Sequence, residues 1–320
     1  MKTILITWTS WFIWFHLAKK LLEEWNINII WFDSENDYYD INLKISRRKI
    51  LEKFDHFKFY KWNLANTDEI NKVFENNTIN KVCHLAAQAW VRYSINNPNK
   101  YIESNMVWFQ NIIQISKEYN IENFVYASSS SVYWKNVKQP FSVEDSVNLP
   151  ISLYAATKRS NELVAHSYSH LFNLPTTWLR FFTVQWPYWR PDMAYFKFTK
   201  KIFNWETIDI YNNWEMERDF TDIDDIVDWV IKCLNTISQY EIFNLWNNTP
   251  TQLEYMITLL EKNIWIKAKR NYIWMQDWDV VSTWADIEHT KNSIWWEPKI
   301  KIEKTIEKFV NWYREYYNKY

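Results

Sequence analysis

The chain has 320 residues, a formal net charge of −1 and 48% hydrophobic residues, so it can bury a large core and is not compositionally disordered. Near-neutral charge removes bulk electrostatics as a reason to expect nucleic acid or an anionic membrane as a partner. The two cysteines, Cys83 and Cys233, are too few for a disulfide framework and fit a reducing, cytoplasmic setting. The uncharged run 3–18 is shorter than the roughly 20 residues that span a bilayer, so we expect neither a targeting segment nor a membrane span.

One feature of the composition is anomalous: the chain contains no glycine and 23 tryptophans. Glycine ordinarily makes up roughly 7% of a soluble chain, so about 22 glycines would be expected, close to the tryptophan count. The match indicates that Trp occupies positions where Gly is needed. Three explanations remain open: a deliberate alteration, a codon read as Trp that the source reads as Gly, and a chain that naturally lacks Gly.

In the first half, short apolar β-branched runs alternate with longer amphipathic runs, a pattern typical of a parallel sheet with crossover helices. Strands are predicted over 3–7, 27–32, 57–60, 81–85, 124–128 and 176–182. Helices are predicted over 15–24, over 68–76 behind a Thr67 cap, over 101–119 and over 154–171. The prediction is an α/β fold with a doubly wound parallel sheet, the Rossmann arrangement.

Past residue 182 the alternation stops. Pro187 and Pro191 interrupt the chain, and the next helices are predicted over 253–262 and 302–316. We therefore expect a Rossmann domain over 1–184 and a smaller C-terminal α/β region over 185–320, with some segments returning to the first domain. Ligands in such folds bind at the carboxyl edge of the sheet.

The first predicted strand runs into a segment with the spacing of a nucleotide-binding turn. Trp8, Trp11 and Trp14 stand where a G-x-x-G-x-x-G turn has its glycines. The first glycine permits the tight turn, the second lets the backbone approach a pyrophosphate, and the third lets the helix pack on the strand. With Gly at these positions, the turn and the adjoining Phe12 and Ile13 would bind a dinucleotide. Taken literally, three indoles would fill the volume that the pyrophosphate needs.

Asp33 ends the second predicted strand, 19 residues after Trp14. A carboxylate at this offset accepts hydrogen bonds from the adenosine ribose and repels a 2′-phosphate. Asp33 therefore favours NAD over NADP. His84 closes the fourth predicted strand and is expected to be a core histidine without a chemical role.

Tyr154 and Lys158 lie four residues apart on a predicted helix and hence on one face. A neighbouring ammonium stabilises a phenolate, so the pair can act as a base near neutral pH. The YxxxK spacing alone is a weak signal. Here it follows a nucleotide turn and a serine-rich strand end, in which Ser129 supplies a third catalytic hydroxyl.

With these motifs the chain resembles the nucleotide-sugar epimerases of the extended short-chain dehydrogenase/reductase (NAD-dependent epimerase/dehydratase) family, and most closely the UDP-glucuronate 4-epimerases. The resemblance extends over essentially the whole chain and is clearest in HLAAQAWVRYS (84–94), VYASSSSVYW (125–134), LYAATKRSNELVAHSYSHLF (153–172) and RDFTDIDDIVDW (218–229). The sequence departs from the family pattern at Gln185, usually Tyr, and at Asn63, usually Asp. The resemblance implies NAD as a bound cofactor, a UDP-sugar as substrate, and a homodimer.

Site residues follow from the resemblance by position. Besides the turn and Asp33, it implies cofactor contacts at Asn63, Leu64, Leu85, Ala86, Ala87, Asn105, Tyr154 and Lys158. It implies substrate contacts at Arg92, Ser128, Ser129, Ser130, Thr183, Arg190, Tyr211, Arg218 and Asp279. Arg190 and Arg92 would meet the sugar carboxylate, for which a fork of donors is suited. A surface salt bridge remains the alternative for both arginines.

The implied reaction is transient oxidation at C4 of the sugar. Tyr154 would act as the base, Ser129 would bridge the hydroxyl, and Lys158 would tune Tyr154 and hold the nicotinamide ribose. Related dehydratases have an Asp-Glu pair at the positions of Ser130 and Ser131, and decarboxylating relatives have Glu at the second. Neither acid is present, which favours 4-epimerisation over elimination or decarboxylation; another nucleotide-sugar epimerase, dehydratase or decarboxylase remains an alternative.

A second hypothesis from a different class is a catalytically dead form of the fold: a pseudoenzyme, a binding module or an artefact of Trp in place of Gly. It predicts that the literal polypeptide folds poorly and binds no NAD, since side chains would strain positions with positive φ and overpack buried ones. No metal site is predicted. His166 and His170 have the spacing of a zinc pair, but no third ligand is evident near them.

Overall fold

The structure is a computed structural model that describes residues 1–7, 12–25, 27–34, 41–89, 91–182, 184–185, 193–211, 217–274 and 282–318. The strands are β1 (Lys2–Thr7), β2 (Ile27–Asp33), β3 (Phe57–Lys61), β4 (Lys81–His84), β5 (Asn123–Ser129), β6 (Thr176–Phe181), β7 (Val184–Gln185), β8 (Thr207–Tyr211), β9 (Glu217–Asp219), β10 (Thr221–Asp222), β11 (Tyr240–Leu245), β12 (Pro250–Gln252), β13 (Lys269–Ile273) and β14 (Ser282–Thr283). The α-helices are α1 (Phe12–Glu24), α2 (Ile41–Leu51), α3 (Thr67–Glu75), α4 (Val91–Asn96), α5 (Pro98–Tyr101), α6 (Trp108–Glu118), α7 (Leu153–Phe172), α8 (Ala194–Phe203), α9 (Ile223–Asn235), α10 (Leu253–Ile264), α11 (Glu288–Ile294) and α12 (Ile302–Tyr317). A π-helix (Ile102–Val107) joins α5 to α6, and a 3-10 turn (Ser130–Tyr133) follows β5.

Seven parallel strands form the main sheet in the order β3-β2-β1-β4-β5-β6-β11. The order reverses between β1 and β4, which is the switch point of a doubly wound fold. Alternate residues of β1 serve the two faces: Ile4 and Ile6 pack in the core that contains α1 and α9, and Leu5 packs in the core that contains α3 and α6. The doubly wound α/β fold predicted from the sequence is confirmed.

Several elements differ from the sequence prediction. The cap of α3 is Asn66, whose side chain accepts a hydrogen bond from Asp68 N at 3.0 Å, so the prediction of a Thr67 cap is wrong. The single helix predicted over 101–119 is interrupted by the π-helix. This wider turn places consecutive residues, Ser104 and Asn105, inside the protein. Helix α2 and strand β11 were not predicted, and β11 completes the main sheet beside β6 although it lies far beyond residue 184.

A buried threonine ties the two strands together at the switch point. The Thr7 hydroxyl accepts hydrogen bonds from Leu85 N at 3.1 Å and Ala86 N at 3.2 Å, and its oxygen lies 3.1 Å from His84 Nδ1. Because both of its lone pairs are used, the hydroxyl donates its proton to His84 Nδ1, which is therefore unprotonated. Burial, with a smaller contribution from the charge of Lys158, lowers the pKa of His84 to about 3. His84 is thus a neutral core histidine.

Three tryptophans have the left-handed backbone conformation that favours glycine. Their φ angles are 60° at Trp205, 65° at Trp265 and 52° at Trp295, and the last two cap the C-termini of α10 and α11. The other described residues with positive φ are asparagines, which tolerate it: Asn120, Asn173, Asn248 and Asn318. A bulky side chain in this conformation costs about 1–2 kcal/mol. These positions support the interpretation that Trp stands where the backbone needs Gly.

Buried tryptophans show a second conflict with their surroundings. Trp31, Trp178 and Trp229 are completely buried. Their indole N–H groups have no hydrogen-bond acceptor among the described residues. A buried donor without an acceptor costs about 1–3 kcal/mol. The three indoles therefore fill core volume, but their N–H groups are left without hydrogen bonds to the described residues.

Replacing Trp295 with Gly should raise the free energy of unfolding by about 1 kcal/mol, because Gly adopts a positive φ without steric cost. Urea denaturation measures the change. Trp274→Gly is the matched control, since Trp274 is 85% exposed, like Trp295 at 87%, but does not have a positive φ. The control should show no stabilisation, and an equal gain in both variants would contradict the conformational explanation.

Replacing Thr7 with Val should lower the free energy of unfolding by about 1–3 kcal/mol or more, because the buried N–H groups of Leu85 and Ala86 both lose their acceptor. Thr7→Ser keeps the hydroxyl and should retain most of the stability. Thermal and urea unfolding of the two variants tests the hydrogen bonds against the loss of a methyl group. Equal destabilisation by Ser and Val would show that the hydroxyl does not hold β4.

Candidate active site

Tyr154 and Lys158 lie in the first two turns of α7. The helix begins after Ser152, whose hydroxyl accepts a hydrogen bond from Ala155 N at 3.1 Å and so caps the end that holds Tyr154. One turn later, Lys158 Nζ donates to the carbonyl oxygen of Ala127 on β5 at 2.8 Å. The helix thus holds Lys158 against β5, with Tyr154 one turn earlier and its ring centre 6.1 Å from that of Tyr101.

Lys158 is only 3% exposed. Burial lowers the pKa of its ammonium to about 7, and the charge of Glu162 opposes that shift. Of its three N–H groups, one donates to Ala127, and no second acceptor lies among the described residues. A cation held out of water interacts strongly with a nearby anion, which suits the stabilisation of a tyrosine phenolate.

The serines at the end of β5 and in the turn that follows it have different surroundings. Ser129 Oγ accepts hydrogen bonds from Ser131 N at 3.2 Å and Ser131 Oγ at 2.9 Å, which leaves its own proton to donate. Ser130 begins the 3-10 turn. Ser128, expected from the resemblance to contact substrate, is 3% exposed and donates its proton to the carboxylate of Glu162. The Ser128 hydroxyl therefore bonds a buried carboxylate of the protein and has no proton left to donate to substrate.

Residues expected to contact the cofactor lie at the carboxyl edge of the sheet around the switch point. Asp33 ends β2 and is 2% exposed. The loop after β4 begins with three buried apolar residues, Leu85, Ala86 and Ala87. The carboxyl ends of β1, β2 and β4 thus form one edge, the place where dinucleotides bind in this type of fold.

The nucleotide turn is described only in part. Trp8 and Trp11 lie outside the described residues. Phe12, Ile13 and Trp14 form the first turn of α1 and are buried. The Trp14 indole meets the Phe181 ring edge to face, with ring centres 5.5 Å apart, so a large side chain fills the start of this helix.

Asn105, also expected to contact the cofactor, is engaged by the protein itself. Its Oδ1 accepts from Gln88 N at 2.6 Å, and its Nδ2 donates to Gln88 O at 3.0 Å and to Thr157 Oγ1 at 3.0 Å. Asn105 therefore holds the loop after β4 against α7. After β3, Asn63 is exposed and its Oδ1 accepts a hydrogen bond from Ala65 N at 3.0 Å, while the neighbouring Leu64 is buried.

Sequence reasoning missed Gln88. Its backbone is held by Asn105, and its side-chain Nε2 is buried without an acceptor among the described residues. A buried donor of this kind at the carboxyl edge fits a bound group that brings oxygen acceptors, as a dinucleotide does. Nothing in the local sequence distinguishes Gln88 from a surface loop residue, because the contact that holds it comes from Asn105, which lies on another element.

The remaining expected substrate residues are placed only in outline. Thr183, Arg190 and Asp279 lie outside the described residues. The backbones of Arg92, Tyr211 and Arg218 lie in α4, β8 and β9, and β9 pairs with β12 and β14. In the described ranges no cluster of three His, Cys, Asp or Glu side chains could hold a metal ion, and no helix is long and apolar enough to cross a membrane.

Comparison with known proteins gives consistent matches. The sequence model of the NAD dependent epimerase/dehydratase family matches residues 4–245. Protein CapI of Staphylococcus aureus is 46% identical, with 99% of each chain covered. UDP-glucuronate 4-epimerase 4 of Arabidopsis thaliana is 39% identical over 99% of this chain and 76% of its own length.

Among solved structures, the chain is similar to UDP-glucuronic acid 4-epimerase from Bacillus cereus, crystallised in complex with UDP-glucuronic acid and NAD. The TM-score is 0.91 at 29% identity, covering 98% of this chain and 100% of the other. The matched family model spans β1 to β11, the same segment that forms the seven-stranded sheet and the candidate active site. The chain belongs to the NAD dependent epimerase/dehydratase family.

Proposed function

We propose that the protein is an NAD-dependent 4-epimerase that interconverts UDP-glucuronate and UDP-galacturonate through a 4-keto intermediate. The observation that supports this most is the placement of α7, whose first two turns hold Tyr154 and a buried Lys158, because Lys158 bonds β5 at Ala127, two residues before Ser129. Relatives named UDP-glucuronate 4-epimerase, and a similar structure that holds UDP-glucuronic acid and NAD, support the choice of substrate.

NAD+, when bound, supplies the hydride acceptor for the sugar C4 and returns the hydride afterwards. Of the chain's own residues, Asp33 would hold the adenosine ribose and Lys158 the nicotinamide ribose. Gln88 Nε2 is a further buried donor at the same edge. The first turn of α1 and the loop 85–87 would pass closest to the phosphates.

Proton transfer belongs to the side chains of α7 and β5. Tyr154, as a phenolate, would take the proton of the sugar 4-hydroxyl, with the ammonium of Lys158 stabilising the negative charge. Ser129 Oγ has its lone pairs occupied by Ser131, so it would donate a hydrogen bond to the sugar O4 and keep its own proton. Ser130 and Ser131 are not acids, so this serine run does not supply the acid and base that eliminate water in related dehydratases.

The substrate would lie between this edge and the region 185–320. We assign the sugar carboxylate to Arg190 and Arg92, the UDP phosphates to Arg218 and the uridine to Asp279. Thr183, Tyr211 and Ser130 complete the proposed contacts. Ser128 would act through Glu162 instead, because its hydroxyl is already committed.

A second candidate is a catalytically dead form of the same fold. The observation that favours it is Trp14, whose indole is buried in the first turn of α1 where the family needs a residue without a side chain. This candidate concerns the literal chain, whereas the epimerase concerns the same chain with Gly at the affected positions.

The two candidates make different predictions for UDP-glucuronate. A protein with Gly restored throughout, including at 8, 11 and 14, should retain NAD and give a mixture of both uronates, followed by chromatography or NMR. Tyr154→Phe in that protein should lower kcat by roughly 100- to 10,000-fold without releasing NAD. The literal chain should bind no NAD.

No interconversion by the restored protein with NAD bound would refute the epimerase. Cofactor retained through purification of the literal chain would refute the dead form. Sequencing the gene separates the origins of the Trp residues, because a shared reassigned codon such as UGA at these positions would indicate that they are read as Gly.

We also propose a cytoplasmic homodimer. Leu163 and Phe172 on α7, and Met106 and Val107 on the neighbouring π-helix, are exposed apolar side chains on helices that pack against one another. A second copy of the chain would cover them, as long helices do in this family. Both cysteines, Cys83 and Cys233, are free and buried, which suits a reducing compartment.

Leu163→Glu should convert the dimer to a monomer, since a charge on this face would have to be buried in the interface. Light scattering coupled to size exclusion measures the mass. Ile41→Glu is the control, because Ile41 is also exposed (40% against 53%) but begins α2, which packs with α1 on the opposite face of the sheet from α7. A monomeric parent protein, or dissociation by both variants, would contradict this interface.

A further inference from the structure

Glu162 lies one turn after Lys158 on α7 and is fully buried. Its Oε1 accepts hydrogen bonds from Ser128 Oγ and, at 3.0 Å, from Arg180 Nε. Its Oε2 accepts from Arg180 Nη2 and from Arg159 Nη1, both at 3.0 Å. These four bonds use the roughly four acceptor sites of a carboxylate, so Glu162 is held as an anion although water is excluded.

The bonds join the elements that hold the proposed catalytic side chains. Ser128 on β5 and Arg180 on β6 are direct partners in the parallel register of the two strands. Both contact the same carboxylate of α7. Because Ser128 immediately precedes Ser129, Glu162 sets how α7, and Tyr154 with it, lies against the strand end that holds Ser129.

The network continues into the C-terminal half of the chain. The Arg180 guanidinium donates to the Tyr133 hydroxyl and lies over the Tyr133 ring, 4.7 Å from its centre. Tyr133 in turn donates to Asn244 Oδ1 on β11 at 2.9 Å. Asn244 Nδ2 donates to the carbonyl oxygens of Phe141 at 2.9 Å and Asp286 at 3.1 Å. One buried polar network thus connects the catalytic helix with the last strand of the sheet.

Glu162 is also the anion that acts on Lys158. Among the described residues, the other ionisable groups around Lys158 and Glu162 are His84 on β4, Tyr126 on β5, Arg180 on β6, Tyr133 in the 3-10 turn, Tyr101 on α5, Tyr154 and Arg159 on α7, and Tyr240 on β11. His84 is neutral. Burial raises the pKa of Tyr126 and of Tyr240 and raises that of Tyr133 to about 12, so none of these three phenols supplies a charge. Burial alone disfavours the Lys158 ammonium, and Glu162 is the group that favours it.

We propose that Glu162 is a positioning residue of the active site, which registers α7 against the end of β5 and provides the counter-charge that keeps Lys158 an ammonium. The proposal rests on the proposed function, since it assumes that Tyr154, Ser129 and Lys158 perform the chemistry. Arg180 holds the carboxylate in place through two parallel hydrogen bonds.

The pH dependence of unfolding tests the counter-charge without substrate or cofactor. The folded pKa of Lys158, about 7, lies below its ordinary value of 10.5. The unfolded chain therefore binds more protons between these values, and stability rises with pH across that window. The lower limit of this window is the folded pKa of Lys158. In Glu162→Gln this limit should move down by at least about one pH unit, because the anion that favours the ammonium is gone. Comparing each protein with its Lys158→Met derivative isolates the contribution of the lysine.

Glu261→Gln is the matched control. Glu261 is a buried carboxylate on α10 that accepts from Lys267 Nζ at 2.8 Å, Arg270 Nη2 at 2.8 Å and Ala268 N at 3.0 Å. Its loss should leave the Lys158 window in place. If Glu162→Gln does not fold, Glu162→Gln with Arg180→Met removes the cation that would be left unpaired, and the same downward shift is expected.

A window that does not move in the Glu162 variants, or that moves equally in Glu261→Gln, would overturn the proposal. Because the measurement needs no turnover, its result is distinct from that of the epimerase assay. A shifted window in a protein with no epimerase activity would uphold the coupling of Glu162 to Lys158 and refute the proposed function alone.

Discussion

Burying the ammonium of Lys158 removes it from water, and the residues around the carboxyl edge are arranged so that the charge is tolerated there. Ala127 offers a carbonyl at 2.8 Å, and the ionised carboxylate of Glu162 lies one turn along the same helix. His84, the nearest basic side chain on β4, is kept neutral by burial, and its unprotonated Nδ1 accepts a hydrogen bond from the Thr7 hydroxyl. A second cation beside Lys158 would favour its deprotonation, so the neutral histidine and the ionised glutamate act in the same direction.

The same constraint explains why so many polar side chains are buried between α7 and the sheet. Buried ion pairs are weak contributors to stability, but removing one partner is costly, about 3–5 kcal/mol, because the other charge is left uncompensated. The pair of Glu162 and Arg180 therefore fixes one relative placement of α7, β5 and β6 rather than adding much to folding. Asn105 likewise fixes the position of α7 relative to the loop after β4, because it bonds both Gln88 in that loop and Thr157 on α7.

The sheet was predictable because each strand of a doubly wound fold is a short apolar run followed by a helix, and these local patterns are present through β6. Asp33, Ser129, Tyr154 and Lys158 could be chosen as candidate site residues from the sequence because they lie at strand ends or at helical spacing. Strand β11 was missed because its edge position leaves its first half only partly buried and its sequence without a strong apolar run. The roles of Thr7, Gln88 and Glu162 depend on partners distant in the sequence, which no local pattern encodes.

The tryptophans keep the spacing of the family's glycines along the chain, but their side chains cannot take the place of glycine in the structure. The spacing of Trp8, Trp11 and Trp14 still matches the nucleotide turn, since position along the chain is independent of side-chain volume. The backbone conformation also matches glycine. Trp265 and Trp295 have the positive φ of a glycine cap, which a residue with a large side chain adopts only at a cost in free energy. Trp31, Trp178 and Trp229 fill the core with indole N–H groups that find no acceptor in the described part of the chain. Summed over such sites, costs of about 1–3 kcal/mol each approach the 5–15 kcal/mol that stabilises a typical domain. The fold and family are therefore retained in the pattern of the sequence, while the stability of the literal chain depends on residues that this pattern would replace with Gly.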